Sequence, residues 1–272
     1  MLAVQSNGAT IPILGLGTWD LRGKVCSRIV EQALRLGYRH VDTAQSYDNE
    51  REVGEGIRAS GLPREQLFLT TKVWWTNFAS GALEKSVAES LARLKLPHVD
   101  LLLLHWPNAA VPLKESFDAL HKVKREGLTK HIGISNFTVA LVEEAISVAS
   151  DPIVNNQIEM HPFIDQRKVI AACSKHGISV TAYSPIARGA VTKNDTLNKI
   201  GKAHGKTAAQ VSLRYLVQQG VIAIPATTRV ERLSENFGIF DFELTDAEMN
   251  AIRAIGSREG RTINPSWSPA WD

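Results

Sequence analysis

Short apolar runs alternate with amphipathic segments along the whole chain, and this rhythm constrains the fold more than any other feature. Eight runs have strand length: Leu14 to Gly17, His40 to Thr43, Leu67 to Val73, Val99 to His105, Ile132 to Ser135, Asn156 to Glu159, Val180 to Tyr183 and Val221 to Ile224. Helical patterns fall between them; in one, Leu83, Val87, Leu91 and Leu94 recur at i+4 and i+3 steps while Lys85, Glu89 and Arg93 point elsewhere. Strands that are apolar on both faces and separated by helices are the pattern of repeated βα units around a parallel sheet. The fold expected is therefore α/β, a (β/α)8 TIM barrel.

Local chemistry marks where the elements start and stop. Thr207 to Gln210 and Thr245 to Glu248 each fit a capping box, Asn49 is placed to cap a helix from Glu50, and Gly127 and Gly177 to close helices that precede strands. Asn7-Gly8 between short apolar stretches reads as a tight β-hairpin plugging the barrel bottom. Residues from Ser257 to Asp272 read as an irregular tail. No Gly/Ser-rich linker or composition break divides the 272 residues, so one domain spanning 1–272 is expected.

Hydrophobic residues make up 44% of the chain and charged residues 22%, enough to fill a large core beneath an ordinary solvated surface. The net charge of +3 is spread without a dense basic run, so neither nucleic acid nor a membrane is expected as a partner. Cys26 and Cys173 lack CxxC spacing, which argues against a disulfide framework or a zinc site. With no signal-peptide pattern and no apolar run of about 18 residues, the expected address is the cytoplasm.

Four ionisable residues sit where strands run out: Asp42 and Tyr47 after Arg39-His40-Val41, Lys72 near the end of the Leu67 run, and His105 at the end of the Leu101 to Leu104 run. A strand buried on both faces should stay apolar to its tip, so each needs a partner or a task. In a barrel all strand C-termini lie on one face, and the four converge there. Together they suit carbonyl reduction. Tyr47 is the acid that protonates the developing alkoxide, Lys72 makes the phenol more acidic, Asp42 holds Lys72, and neutral His105 points an N–H at the substrate oxygen. Singly, Lys72 reads as an ordinary lysine past a strand end, His105 as a hydrogen-bonded core residue, Asp42 as a turn cap and Tyr47 as packing; their joint spacing is what carries the reading.

At these positions the chain resembles the aldo-keto reductases, through Val41-Asp42-Thr43-Ala44-Gln45-Ser46-Tyr47, Lys72-Val73-Trp74, Leu104-His105-Trp106-Pro107 and Gly133-Ile134-Ser135-Asn136-Phe137. The likeness spans the chain, and the compact loops and closing Pro269-Ala270-Trp271-Asp272 are most similar to the bacterial 2,5-diketo-D-gluconate reductases. The resemblance implies an NADPH-dependent oxidoreductase for aldehydes, dicarbonyls or keto-sugar acids, with Tyr47, Asp42, Lys72 and His105 as catalytic tetrad. It implies cofactor contacts at Thr18, Trp19, Asp42 and Ile224, carboxamide contacts at Ser135, Asn136 and Gln157, and Tyr183 stacked on the nicotinamide. Ser184, Pro185 and Ala187 fall in its pyrophosphate loop. Thr227, Thr228, Arg229, Arg232, Glu235 and Asn236 fall around a helix N-terminus suited to an anion. Many members have Lys where this chain has Ala226, which leaves Arg229 and Arg232 to meet a 2′-phosphate. The substrate pocket implied is lined by Trp19, Tyr47, Trp74, His105 and Trp106, with Trp267 and Trp271 as candidate additions, and the short Pro107 to Pro112 connection points to an open site and broad substrate use. A monomer is expected.

Two other readings compete: a barrel lyase with Lys72 as Schiff-base nucleophile, and a non-catalytic NADPH-binding structural or regulatory barrel. Gly54-Glu55-Gly56 fits a loose dinucleotide fingerprint but lies in a helical stretch, so a Rossmann domain is rejected. Asn136-Phe137-Thr138 and Asn194-Asp195-Thr196 match a glycosylation pattern that goes unused without secretion.

Overall fold

The computed structural model describes residues 2–272. The chain opens with an antiparallel hairpin, β1 (Ala3–Ser6) and β2 (Ala9–Pro12), turned by Asn7 (φ 43°) and Gly8 (φ 89°). Two successive positive φ angles make this the turn whose twist matches the strands. Eight parallel strands follow: β3 (Leu16–Gly17), β4 (His40–Asp42), β5 (Phe68–Val73), β6 (Val99–Leu104), β7 (Thr129–Ser135), β8 (Ile153–Glu159), β9 (Ser179–Tyr183) and β10 (Ile222–Ala223). Each pairs with its neighbour in sequence order. The ring closes where Leu14 bridges Ala223 and the Gly15 N–H donates to the Ala223 carbonyl at 2.9 Å. All eight expected strands are present in one (β/α)8 barrel.

The sequence alternation is realised as two cores. Leu101 and Leu103 of β6 face inward with Phe68, Val154, Ile222 and Ile224, while Leu102 and Leu104 face the surrounding helices. Ala9 and Ile11 of the hairpin join the inner cluster, and Asn7 Nδ2 donates to the carbonyls of Ile153 (2.8 Å) and His176 (3.0 Å). The hairpin thus plugs the bottom of the barrel, at the N-terminal ends of β8 and β9.

The helices are α1 (Gly23–Leu36), α2 (Glu50–Ser60), α3 (Ala82–Leu94), α4 (Leu113–Arg125), α5 (Val139–Val148), α6 (Arg167–Lys175), α7 (Asp195–His204), α8 (Ala208–Val217), α9 (Val230–Phe237) and α10 (Asp246–Arg253). Thr207 and Thr245 form the expected capping boxes. Asn49 precedes α2 but does not cap it. Its backbone (φ −137°, ψ 11°) departs from the extended capping geometry, and its side chain instead donates to the carbonyls of Thr18 (2.8 Å) and Leu21 (3.1 Å) and accepts from the Thr43 hydroxyl (3.0 Å). Asn49 therefore ties the loop after β3 to the loop after β4. Among the described residues no helix is long and apolar enough to cross a membrane.

The glycines of the loose dinucleotide motif have a packing role inside α2. A Cβ on Gly54 would lie 2.2 Å from the Leu94 carbonyl oxygen, and one on Gly56 2.4 Å from that of Ser27. Helix propensity alone favours Gly→Ala by about 1 kcal/mol. The clash is with backbone, so it prevails: Gly54→Ala should destabilise the fold by about 1–3 kcal/mol in urea titration. A gain in stability would show that α2 and α3 separate without strain.

Candidate active site

The inward face of β5 runs Phe68, Thr70, Lys72, which carries Lys72 from the apolar interior to the upper rim, where it is fully buried. There its Nζ spends all three protons. It donates to Asp42 Oδ1 at 2.5 Å, the Thr43 carbonyl at 2.9 Å and the Tyr47 hydroxyl at 3.1 Å. Asp42 closes β4 and accepts at its second oxygen from Gln157 Nε2, 2.7 Å away. Tyr47 arrives on the short 3-10 turn Gln45–Tyr47, which ends at Asp48 in the left-handed region (φ 54°). Gln45 steadies this turn, accepting from the Trp74 N–H at 2.9 Å while its amide donates to Ser86 and Ser90.

His105 is the residue after β6, its N–H bonded to the Val73 carbonyl. Its ring meets Tyr47 edge to face, centroids 5.7 Å apart, and Trp74 at 5.3 Å. Ser46 Oγ lies 3.4 Å from Nδ1, and among the described residues Nε2 has no hydrogen-bond partner.

Burial and charge act against each other at each titratable group. Burial lowers the Lys72 pKa, but the Asp42 carboxylate and the Tyr47 oxygen outweigh it and leave the ammonium more firmly protonated than in water. Burial raises the Tyr47 pKa and Lys72 pulls it back, with a net upward shift. The sequence expectation of a net more acidic phenol is therefore corrected, because burial exceeds the attraction of the cation. His105 falls well below the usual imidazole range, through burial first and the Lys72 charge second. At neutral pH the phenol is protonated and the imidazole is neutral.

These groups open into a cavity of about 1000 Å³ at the C-terminal ends of the strands. Asp42, Tyr47 and His105 line it with Trp74, Trp106, Trp267 and Ile224, and Thr227, Thr228 and Arg232 line it at the N-terminus of α9. Between them lie Trp19, Asn136, Tyr183, Ser184 and Pro185. Of the remaining expected contacts, Thr18, Ser135 and Gln157 are buried just beneath: Thr18 Oγ1 donates to the Asp42 carbonyl and Ser135 Oγ to that of Gln157. Asn136 Nδ2 donates to the His105 carbonyl and its Oδ1 accepts from the Tyr183 hydroxyl at 2.7 Å. Ala187 is buried in the loop after β9, whereas Arg229, Glu235 and Asn236 lie outside the cavity walls, Arg229 exposed as the residue preceding α9. Trp271 does not line the cavity; it packs against Trp106 at 6.1 Å.

Sequence reasoning missed several wall residues. Arg188 lies over the Trp19 ring, 4.9 Å from its centroid, in a loop where Ser184, Ala187 and Arg188 all have positive φ. Such backbone is costly in non-glycine residues and concentrates at functional sites, yet nothing in Ser-Pro-Ile-Ala-Arg signals it. Thr262, Ile263, Asn264 and Pro265 also line the cavity, from a tail without periodicity.

The aldo/keto reductase family model matches residues 13–257. The methylglyoxal reductase DkgB of Salmonella typhi is 43% identical over 97% of this chain and all of its own length, and the glyoxal reductase of Bacillus subtilis is 38% identical over 95% of this chain and 94% of its own. Among solved structures, one provisionally named 2,5-diketo-D-gluconic acid reductase B superposes with a TM-score of 0.97 at 52% identity, covering 99% of this chain and 97% of that one. The Bombyx mori aldo-keto reductase, solved in complex with NADP, gives 0.91 at 34% identity, covering 97% and 96%. Matched along its length in both sequence and fold, the chain belongs to the aldo/keto reductase family, carbonyl-reducing oxidoreductases that use NADP(H).

Proposed function

We propose that the chain reduces small aldehydes and 2-oxoaldehydes of the methylglyoxal type, with Tyr47 as proton donor and Asp42, Lys72 and His105 as its supporting groups. The observation that carries this reading is the Lys72 ammonium held between Asp42 at 2.5 Å and the Tyr47 hydroxyl at 3.1 Å, beside an open cavity. The names of the glyoxal and methylglyoxal reductases among its relatives support the substrate class.

The residues fit a nicotinamide dinucleotide phosphate. The cavity runs from the tetrad to the start of α9, where helix N–H groups and the Arg232 guanidinium suit a phosphate. Asn136 and Tyr183 stand near the tetrad, Ser184 and Pro185 in the middle, and Thr227 and Thr228 near Arg232. The bound cofactor supplies hydride to the carbonyl carbon. The protein handles the charge left on oxygen. Tyr47 gives up its proton to that oxygen, and the phenolate left behind is stabilised by Lys72, whose own charge is anchored by Asp42. Neutral His105 has Nε2 free to donate toward the carbonyl and orient it, while Trp74, Trp106 and Trp267 exclude water. A Schiff-base role for Lys72 would need a neutral amine, and its surroundings favour the ammonium. The same reading takes the protein as a cytoplasmic monomer, where the buried thiols of Cys26 and Cys173 stay reduced.

Tyr47→Phe should keep the fold and cofactor affinity but lower kcat by about 10²–10⁴-fold, followed as carbonyl-dependent NADPH consumption. Wild-type activity in this variant would remove Tyr47 as the donor. The depressed His105 and raised Tyr47 pKa values leave a wide window between them. Carbonyl reduction should hold steady across neutral pH, with an acid limb only well below the ordinary imidazole range as His105 gains its proton and an alkaline limb only above the ordinary phenol range as Tyr47 loses its own. A single titration centred near neutrality in kcat/KM would contradict that assignment. Arg232→Ala should weaken NADPH binding by about tenfold or more and leave NADH nearly unchanged, a charge-assisted phosphate contact being worth about 1.5–3 kcal/mol. Equal losses for both, in fluorescence titration, would place the 2′-phosphate elsewhere.

A further inference from the structure

The barrel buries a second charged side chain at the end of a strand, outside the tetrad. Glu159, the last residue of β8, has no exposed surface. Its Oε1 accepts from the Thr262 N–H at 2.7 Å, the Thr262 hydroxyl at 2.5 Å and His161 Nε2 at 3.1 Å; its Oε2 accepts from the Ile263 N–H at 3.1 Å, with the Arg261 guanidinium 3.7 Å away. The Phe163 N–H donates to Nδ1 of His161 and so fixes that ring, while Gln166 Nε2 donates to the Glu159 carbonyl. Three of these donors belong to a stretch of tail more than a hundred residues away in sequence.

The tail has a second anchor at its end. Asp272 Oδ2 accepts from the Val139 N–H at the start of α5, and the Trp271 ring lies 3.5 Å from the Arg261 guanidinium and donates its Nε1–H to Asn264 Oδ1 at 2.8 Å. Between the anchors, residues 261–272 contain no helix or strand, so no backbone ladder of their own holds them. Yet Ile263, Asn264, Pro265 and Trp267 wall the tetrad end of the cavity, and Trp267 stacks on Trp75 with centroids 6.3 Å apart. An irregular wall keeps its shape only if something fixed pins it, and β8 is buried along its length and paired on both sides in the sheet.

We propose that Glu159 is a specificity-positioning residue: by pinning Thr262 and Ile263 to the barrel it fixes the tail as a wall over the carbonyl end of the cavity and holds the enzyme to compact substrates. The proposal rests on the reading of that end as the substrate site. Glu159→Gln tests it, because an amide must turn its NH₂ toward donors on one side or the other and so loses part of the anchor in either orientation. Thr262→Ala removes one bond from the tail side and leaves the barrel interior intact.

The measurements are kcat and KM for methylglyoxal and for the bulkier phenylglyoxal, NADPH affinity by fluorescence titration, and trypsin cleavage at Arg261. Both variants should raise kcat/KM for phenylglyoxal relative to methylglyoxal, by about tenfold in Glu159→Gln and less in Thr262→Ala, mainly through KM. NADPH affinity should stay within about twofold, and cleavage at Arg261 should quicken. An unchanged ratio in both variants, or equal losses on both substrates with weakened NADPH binding, overturns the proposal while carbonyl reduction and the Tyr47→Phe loss stand. Full activity in Tyr47→Phe would overturn it together with the reading it rests on.

Discussion

A protonated lysine with no contact to water is the constraint around which the upper barrel is arranged. Removing a charged group from water costs several kcal/mol even after relaxation, and only a complete set of short polar contacts offsets it. Lys72 has that set, drawn from Asp42, Thr43 and Tyr47, and Gln157 completes the shell by bonding the second Asp42 oxygen. The contacts to Lys72 come from β4 and its following loop, beside β5 in the sheet, whereas the Gln157 contact exists only when the parallel sheet has curled enough to bring β8 across from β4. Closure of the barrel thus completes the shell of Asp42, and through it that of Lys72. Loss of the Asp42 carboxylate would strand a buried cation, a change that costs about 3–5 kcal/mol in comparable pairs.

Such a charge is tolerable because the layers beneath it are apolar and tightly filled. Phe68, Leu101, Leu103, Val154 and Ile222 occupy the interior below, and Ala9 and Ile11 of the hairpin seal it. Water that reached Lys72 from below would raise the local dielectric and weaken the pull on the Tyr47 oxygen. The hairpin lies far from the chemistry yet protects its electrostatics. His40 marks the transition between the layers, buried with Nδ1 3.2 Å from the Pro12 carbonyl.

The strands were legible because double burial leaves an unbroken apolar signal, and the grouping of Asp42, Tyr47, Lys72 and His105 was legible because a polar or charged residue at the end of such a run is conspicuous. Lys72 after Leu69-Thr70-Thr71 and His105 after four leucines need no comparison to stand out. Asn49 was misread because an Asx side chain beside a helix start satisfies either its own backbone or a neighbouring loop, and tertiary contact decided for Thr18 and Leu21. The direction of the Tyr47 shift was misread because a sequence shows the cation but not the depth of burial. The strained loop at Ala187 and Arg188 was invisible because Gly189 marks a turn but not that the two residues before it also take positive φ, and the tail because its register on Glu159 depends on a partner about a hundred residues away.

The two ends of the cavity differ in how their walls are held, and the difference sets what each end suits. At the α9 end the wall is polar: helix N–H groups, threonine hydroxyls and Arg232, with Arg188 lying over Trp19 nearby. Directional groups of that kind suit a ligand of fixed shape carrying phosphate charge. At the tetrad end the wall is aromatic and partly irregular: Trp74 and Trp106 sit just past strand ends, and Trp267 comes from the tail. Apolar contact is non-directional and tolerates different carbonyl compounds, so discrimination there depends on where the wall stands more than on what it is made of. A tail that lacks secondary structure can change in sequence without disturbing the barrel, provided that the strand-end carboxylate still holds it in place.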